Sequence, residues 1–111
     1  MTRITIEDFE RVEMRVGRIV QVEDFPKARK PSYRLLIDFG PFGMRRSSAA
    51  LRPLYAKEDL LNHQVVAVTN FPPRRIADFD SEVLVLGAIE HGGRIVLLRP
   101  EAEAELGARI G

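Results

Sequence analysis

The apolar positions of this chain fall into short, turn-separated runs with a period of two. Ser32 to Phe39 alternates most cleanly: Tyr33, Leu35, Ile37 and Phe39 share one face, the pattern of a half-buried strand. Met14 to Glu23 reads as an earlier strand with Met14, Val16, Val20 and Val22 in phase and Arg18 as the exception. Gly17 inside that run predicts a bend or bulge. Gly40-Pro41-Phe42-Gly43 is a tight connection into a third strand, Met44 to Ala49. Two apolar runs follow, Gln64 to Thr69 and Val83 to Ile89, and Gly92-Gly93 closes a hairpin into Arg94 to Leu98.

Helical signals are brief. Thr5 can cap a first turn with Asp8 at the third helical position, and Ile4 and Phe9 form a hydrophobic staple across it. Ile6, Phe9 and Val12 then lie on one face, and a helix this short needs a surface to dock on. Arg52 to Asn62 reads as a turn and a second short helix. The tail from Pro100 is weakly patterned and ends in Leu106 and Ile110. Short strands, a bent first strand and a helix between strands three and four predict an all-β fold with short helices. The best match is an OB-fold, a five-stranded Greek-key β-barrel, with N- and C-terminal extensions. Its 111 residues form one domain, with residues 1–13 as a helical arm and 100–111 as a tail. The apolar residues of both ends exceed what a minimal barrel needs, which predicts a homodimer that buries them.

Charge adds a direction. The net charge is +1, but residues 27–57 hold eight basic residues against Asp38 alone, a local +7 that leaves −6 for the rest. That segment covers strands two and three and their loops, the face on which such barrels bind oligonucleotides. There are no cysteines, which excludes structural disulfides and cysteine-ligated metal sites. The two histidines, His63 and His91, have no cysteine, second histidine or nucleophile motif around them. Asp78, Asp80 and Glu82 alternate along one loop and read as solvated carboxylates rather than a cation site. We therefore expect no catalysis, no metal and no cofactor. The first eight residues carry acids where a signal peptide needs an apolar core, and no run approaches a membrane span of about 20 residues. A soluble, cytoplasmic protein without membrane insertion is expected.

The most distinctive stretch is Asn70-Phe71-Pro72-Pro73-Arg74-Arg75-Ile76, followed by Ser81-Glu82. Paired prolines stiffen the loop and remove two backbone donors, so the ladder should stop there. Two guanidinium groups and an amide on a stiff loop suit an anionic, hydrogen-bonding ligand. A plain turn with solvated arginines would show the same residues.

Taken together, Met14-Arg15-Val16-Gly17-Arg18-Ile19-Val20, Phe25-Pro26-Lys27-Ala28, Asp38-Phe39-Gly40, Ser47-Ser48-Ala49, the Pro-Pro-Arg-Arg loop and Ser81-Glu82 resemble the tRNA-binding domain family. That family includes C-terminal extensions of bacterial methionyl-tRNA synthetases and small free-standing homologues. The resemblance implies an OB-fold homodimer that binds tRNA without catalysis. Carried over residue by residue, the tRNA-binding candidates are Arg15, Lys27, Ser48, Asn70, Arg74, Arg75, Ser81 and Glu82. The arginines and the lysine would hold phosphates. The two serines and Asn70 would meet base edges or ribose hydroxyls. Glu82 would orient Arg15 or an arginine of the loop. Phe25-Pro26-Lys27-Ala28-Arg29 and Ser81-Glu82-Val83-Leu84 depart from the synthetase-type pattern, which has His-Pro-x-Ala-Asp and Ser-Glu-Gly-Met there. Free-standing members with those departures have been described as export-linked chaperones. Binding of unfolded preproteins or of the export machinery is therefore the alternative function.

Overall fold

A computed structural model describes residues 1–111. Its frame is a five-stranded sheet in the order β3-β2-β1-β4-β7, with β1 at Met14–Asp24, β2 at Tyr33–Asp38, β3 at Met44–Ala49, β4 at Gln64–Val68 and β7 at Leu84–Val85. All neighbouring pairs are antiparallel. The sheet curls until its ends meet. There Glu82 N donates to Arg46 O at 2.8 Å, and the Ser47 hydroxyl donates to Val83 O at 2.9 Å. The result is the nearly closed, mostly sheet barrel that the residue pattern predicts.

Strand β1 is long because it serves both halves of the barrel: Met14 to Arg18 pairs with β4, and Arg18 to Asp24 pairs with β2. The bulge falls between Ile19 and Gln21 rather than at Gly17. It moves the inward phase, so Ile19 is fully buried opposite Ile37, and Val22 lies opposite Leu35. The expected phase of Met14, Val16, Val20 and Val22 is therefore corrected. Val16 and Arg18 share the face opposite Gly17 and Ile19, where Val16 is buried and Arg18 remains the polar exception. Gly17 faces the core and is required there: a Cβ would sit 2.5 Å from Ile37 Cγ2 and 2.7 Å from Phe39 Cε1. Ile19, Leu35, Ile37, Phe39, Leu60 and Val65 form the centre of the core.

The run from Val83 to Ile89 is not one strand. It breaks at Leu86, with β7 pairing to β4 and β8 (Gly87–Ile89) pairing to β9 (Ile95–Leu97). Gly87 lets the hairpin close, since a Cβ there would lie 2.5 Å from Ile95 Cγ2. The Pro-Pro loop also holds more structure than expected. The β4 ladder does stop, but Arg74–Ile76 (β5) and Phe79–Ser81 (β6) form a small ribbon turned at Ala77, whose φ is +53°.

Helix α1 (Ile6–Glu10) starts at the expected capping box: Asp8 N donates to Thr5 Oγ1, and Thr5 N to Asp8 Oδ2, both at 3.1 Å. Phe9 and Val12 are half-buried, whereas Ile4 and Ile6 are 70% and 65% exposed. The second helix, α2 (Lys57–Leu60), plugs the barrel with Leu60. The C-terminal tail lies along the outer edge of β1: Val16 N donates to Ala108 O at 3.0 Å, and Ile110 N to Met14 O at 2.9 Å. No helix is long and apolar enough to cross a membrane.

Candidate nucleic-acid interface

The β5–β6 ribbon stands against the open edge of β3 and forms a groove there. Ser48 N donates to Ser81 Oγ at 3.0 Å, so the hydroxyl of Ser81 is spent on the junction. The groove has a volume of about 350 Å³ and is lined by Ser48, Phe71, Arg74, Ile76, Glu82 and Leu84, among others. Prolines 72 and 73 hold the chain extended at its mouth, which keeps Phe71 51% exposed. Arg74 is exposed and free of any intrachain partner. Four of the eight candidate residues, Ser48, Arg74, Ser81 and Glu82, thus meet in one groove although they come from separate segments.

The other four do not. Arg75 is exposed on the opposite side of the ribbon from Arg74, as alternation along a strand requires, and bonds to Asp80 at 3.0 Å. Lys27 lies at the tip of the ribbon, where its ammonium bonds to Asp78 at 2.9 Å. That bond and the positive charge hold the Asp78 carboxyl below the usual carboxylate range. Phe25 meets Phe79 edge-on at 5.4 Å, so the loop before β2 clasps the ribbon twice.

Arg15 has a structural role. Its guanidinium lies 3.8 Å from the centre of the Phe42 ring, donates to Gly107 O at 2.8 Å and to Glu13 Oε1 at 2.7 Å, and leaves its side chain 15% exposed. Glu82 does not orient it. That carboxylate accepts instead from Arg46 N at 2.9 Å and faces Arg46 Nε at 3.6 Å. Asn70 is committed as well: its Oδ1 accepts from Glu13 N at 2.9 Å and its Nδ2 donates to Arg11 O at 2.7 Å. It ties the N-terminal arm to the end of β4. Asp78, Asp80 and Glu82 each face a cation of their own, as solvated or paired carboxylates do.

Two arginines outside the candidate set also lie beside the groove. Arg34 and Arg46 rise from the outer face of β2 and β3 beside the ribbon, in a second pocket of about 270 Å³ with Gln21, Glu23, Asp78 and Phe79. Their carboxylate neighbours are distant, 3.7 Å for Glu23–Arg34 and 3.6 Å for Glu82–Arg46, beyond hydrogen-bond reach. Their place in the +7 segment was the one signal that could have found them.

The model of a family described as "Putative tRNA binding domain" matches residues 14–109. The chain is 39% identical over 107 residues to the methionine–tRNA ligase of Thermococcus onnurineus, an alignment covering 96% of this chain and 14% of that protein. Among solved structures, the chaperone CsaA of Bacillus anthracis aligns at 46% identity and a TM-score of 0.94, over 99% of this chain and 100% of that one. The CsaA chaperone protein of Picrophilus torridus aligns at 47% identity and a TM-score of 0.92, over 98% and 100%. The chain thus spans about one seventh of the ligase and the whole of both chaperone structures.

Proposed function

The chain belongs to the tRNA-binding domain family, and on that premise we propose that it binds tRNA, without catalysing a reaction, through the groove between β3 and the β5–β6 ribbon. The observation that supports this best is the convergence of Ser48, Arg74, Ser81 and Glu82 on one groove with an exposed Phe71. Each side chain has a task it can perform as it stands. The unpartnered guanidinium of Arg74 neutralises a phosphate. The Phe71 ring offers a face for an unstacked base. The Ser48 hydroxyl remains free to meet a ribose hydroxyl or a base edge. Glu82 acts through Arg46 rather than on an anion. Arg15 and Asn70 hold the platform. Lys27 and Arg75 lie outside the groove, each paired with an aspartate, and contribute field rather than contact.

The test is the affinity of the full chain for labelled tRNA across a salt series. Arg74→Ala removes one phosphate contact, so the slope of log K against log salt should fall by about 0.7 to 0.9, with the fold intact by circular dichroism. A folded variant with unchanged affinity and slope would remove the groove from tRNA binding.

A second reading has its own observation. The same groove carries Phe71, Pro72, Ile76, Val83 and Leu84, an apolar lining that fits an extended peptide segment. Together with the similarity to two chaperone structures, it supports binding of unfolded preproteins. Competition separates the readings: an unfolded polypeptide that displaces tRNA at equal concentration, and whose binding fails in Phe71→Ala but persists in Arg74→Ala, would put the chaperone role first. We propose further that the protein is cytoplasmic and forms a homodimer that buries apolar residues of both chain ends; the exposure of Ile4 and Ile6 on the arm supports this.

A further inference from the structure

The arginines of this chain divide by what they already hold. Arg11, Arg15, Arg75 and Arg109 each donate to an intrachain oxygen at 3.0 Å or less, and Arg18 and Arg94 are closely paired with Glu103 and Glu90. Arg34 and Arg46 are different. A guanidinium has five N–H donors, and the two side chains form only the long ion pairs with Glu23 and Glu82. Arg34 Nε is buried with no hydrogen-bond partner at all. Both guanidinium groups lie over one ring instead, 5.8 Å and 5.4 Å from the centre of Phe79. Arg34 also lies 5.4 Å from the centre of Phe25. Contact with a ring face uses none of the guanidinium N–H donors, which are left for a ligand.

Register sets where this pair lies relative to the first groove. Arg34 opposes Ser48, and Leu36 opposes Arg46, so Arg34 and Arg46 share the outward face of the sheet with Ser48. Ser48 lines the first groove and Arg46 the second, two residues apart on β3, or about 7 Å. Glu82 is the wall between them: it lines the first groove and faces Arg46 in the second.

We propose that the pocket of Arg34 and Arg46 over Phe79 is a second phosphodiester-binding site, continuous with the Arg74 groove, so that one single-stranded segment of nucleic acid occupies both. This rests on the nucleic-acid reading above. Phe79 is too buried to stack a base and serves as the seat of the two guanidinium groups. Two neighbouring guanidinium groups with unspent donors fit a phosphate better than a neutral ligand. The incoming phosphate replaces Glu82 as the partner of Arg46, and the freed carboxylate stays on the groove wall.

The experiment uses the full chain and two labelled single-stranded RNAs, of about 4 and about 16 nucleotides, the range of site sizes for such barrels. On the longer RNA, Arg34→Gln/Arg46→Gln should lower the salt slope by about 1.4, two contacts at about 0.7 each, and Arg74→Gln by about 0.7. The triple variant should lose about 2.1, the sum of both. The short RNA should show a smaller loss for the double variant, because it fills one groove at a time. Arg34→Lys/Arg46→Lys should keep the slope but bind several-fold more weakly, since charge survives and the fork does not; it also serves if the Gln variant is unstable. A folded double Gln variant with unchanged slope, while Arg74→Gln still weakens binding, would overturn this site and leave the first groove standing. Release of the RNA by an oligo-aspartate peptide at equal charge concentration would assign the pocket to carboxylates and overturn it too. Absence of RNA binding by the unaltered chain would remove both readings together.

Discussion

Asn70→Ala separates a clamp from a base contact. The amide of Asn70 closes two bonds to the N-terminal arm, from Glu13 N at 2.9 Å and to Arg11 O at 2.7 Å. Each such bond contributes about 0.5–1.5 kcal/mol net. The site is exposed, so water can satisfy the groups left behind, and the lower half of the range applies: about 1–2 kcal/mol in total. Thr69 retains its own bonds to Glu13 O, at 2.8 Å and 3.2 Å, so the arm should loosen rather than unfold the barrel. For a chain of this size that loss corresponds to a drop in Tm of about 4–8 °C. Thermal unfolding by circular dichroism measures it, and amide exchange at Glu13 localises it. tRNA affinity should fall little, with an unchanged salt slope, because a neutral side chain releases no counterions. If instead Tm and Glu13 exchange stay the same while tRNA binding collapses, Asn70 is a contact residue and the clamp is incidental.

Arg15→Ala should cost about 2–3 kcal/mol, from a ring contact and charge-assisted bonds in a half-buried site, measured as the urea midpoint at constant m. The Asp78 carboxyl should titrate below the ordinary carboxylate range in the folded chain, chiefly because Lys27 donates a hydrogen bond to it. With the folded value depressed, the Lys27–Asp78 contribution is present above the ordinary carboxylate range and is lost as pH falls through the depressed value. Lys27→Ala should return the titration, followed by carboxyl NMR shifts, to the ordinary range. Light scattering at micromolar concentration should give a dimer mass, and removal of residues 1–12 should give monomer or insoluble protein; a monomer from the intact chain would end the dimer proposal.

Where burial dictates residue type, the chain was easy to read. The alternation of Tyr33, Leu35, Ile37 and Phe39 and the Thr5–Asp8 capping box appear in the fold as the pattern predicts. The bulge was misplaced because Gly17 has two explanations, backbone freedom and lack of room for a Cβ, and the second holds. The split at Leu86 was invisible because both halves of the run are apolar; which sheet a residue joins depends on partners far along the chain. Of the candidate residues, the sequence named four that line one groove, but not which of the eight are already bonded within the chain. Arg15, Asn70 and Arg75 are the same chemical types as Arg74 and Ser48, and only distances to Glu13, Arg11 and Asp80 show that they are committed. Conversely, Arg34 and Arg46 have no motif around them, and what brings them together is a ring 33 or more residues away.

The most direct measurement is a titration of tRNA into the isotope-labelled full chain, followed by backbone amide NMR. Shifts should cluster at Ser48, Phe71, Arg74, Ser81 and Glu82 and extend across β3 to Arg46, with the residues around α2 and the β8–β9 hairpin unchanged. Shifts confined to that opposite side, or none at concentrations that saturate other tRNA-binding domains, would contradict the assignment of the groove as the tRNA-binding surface.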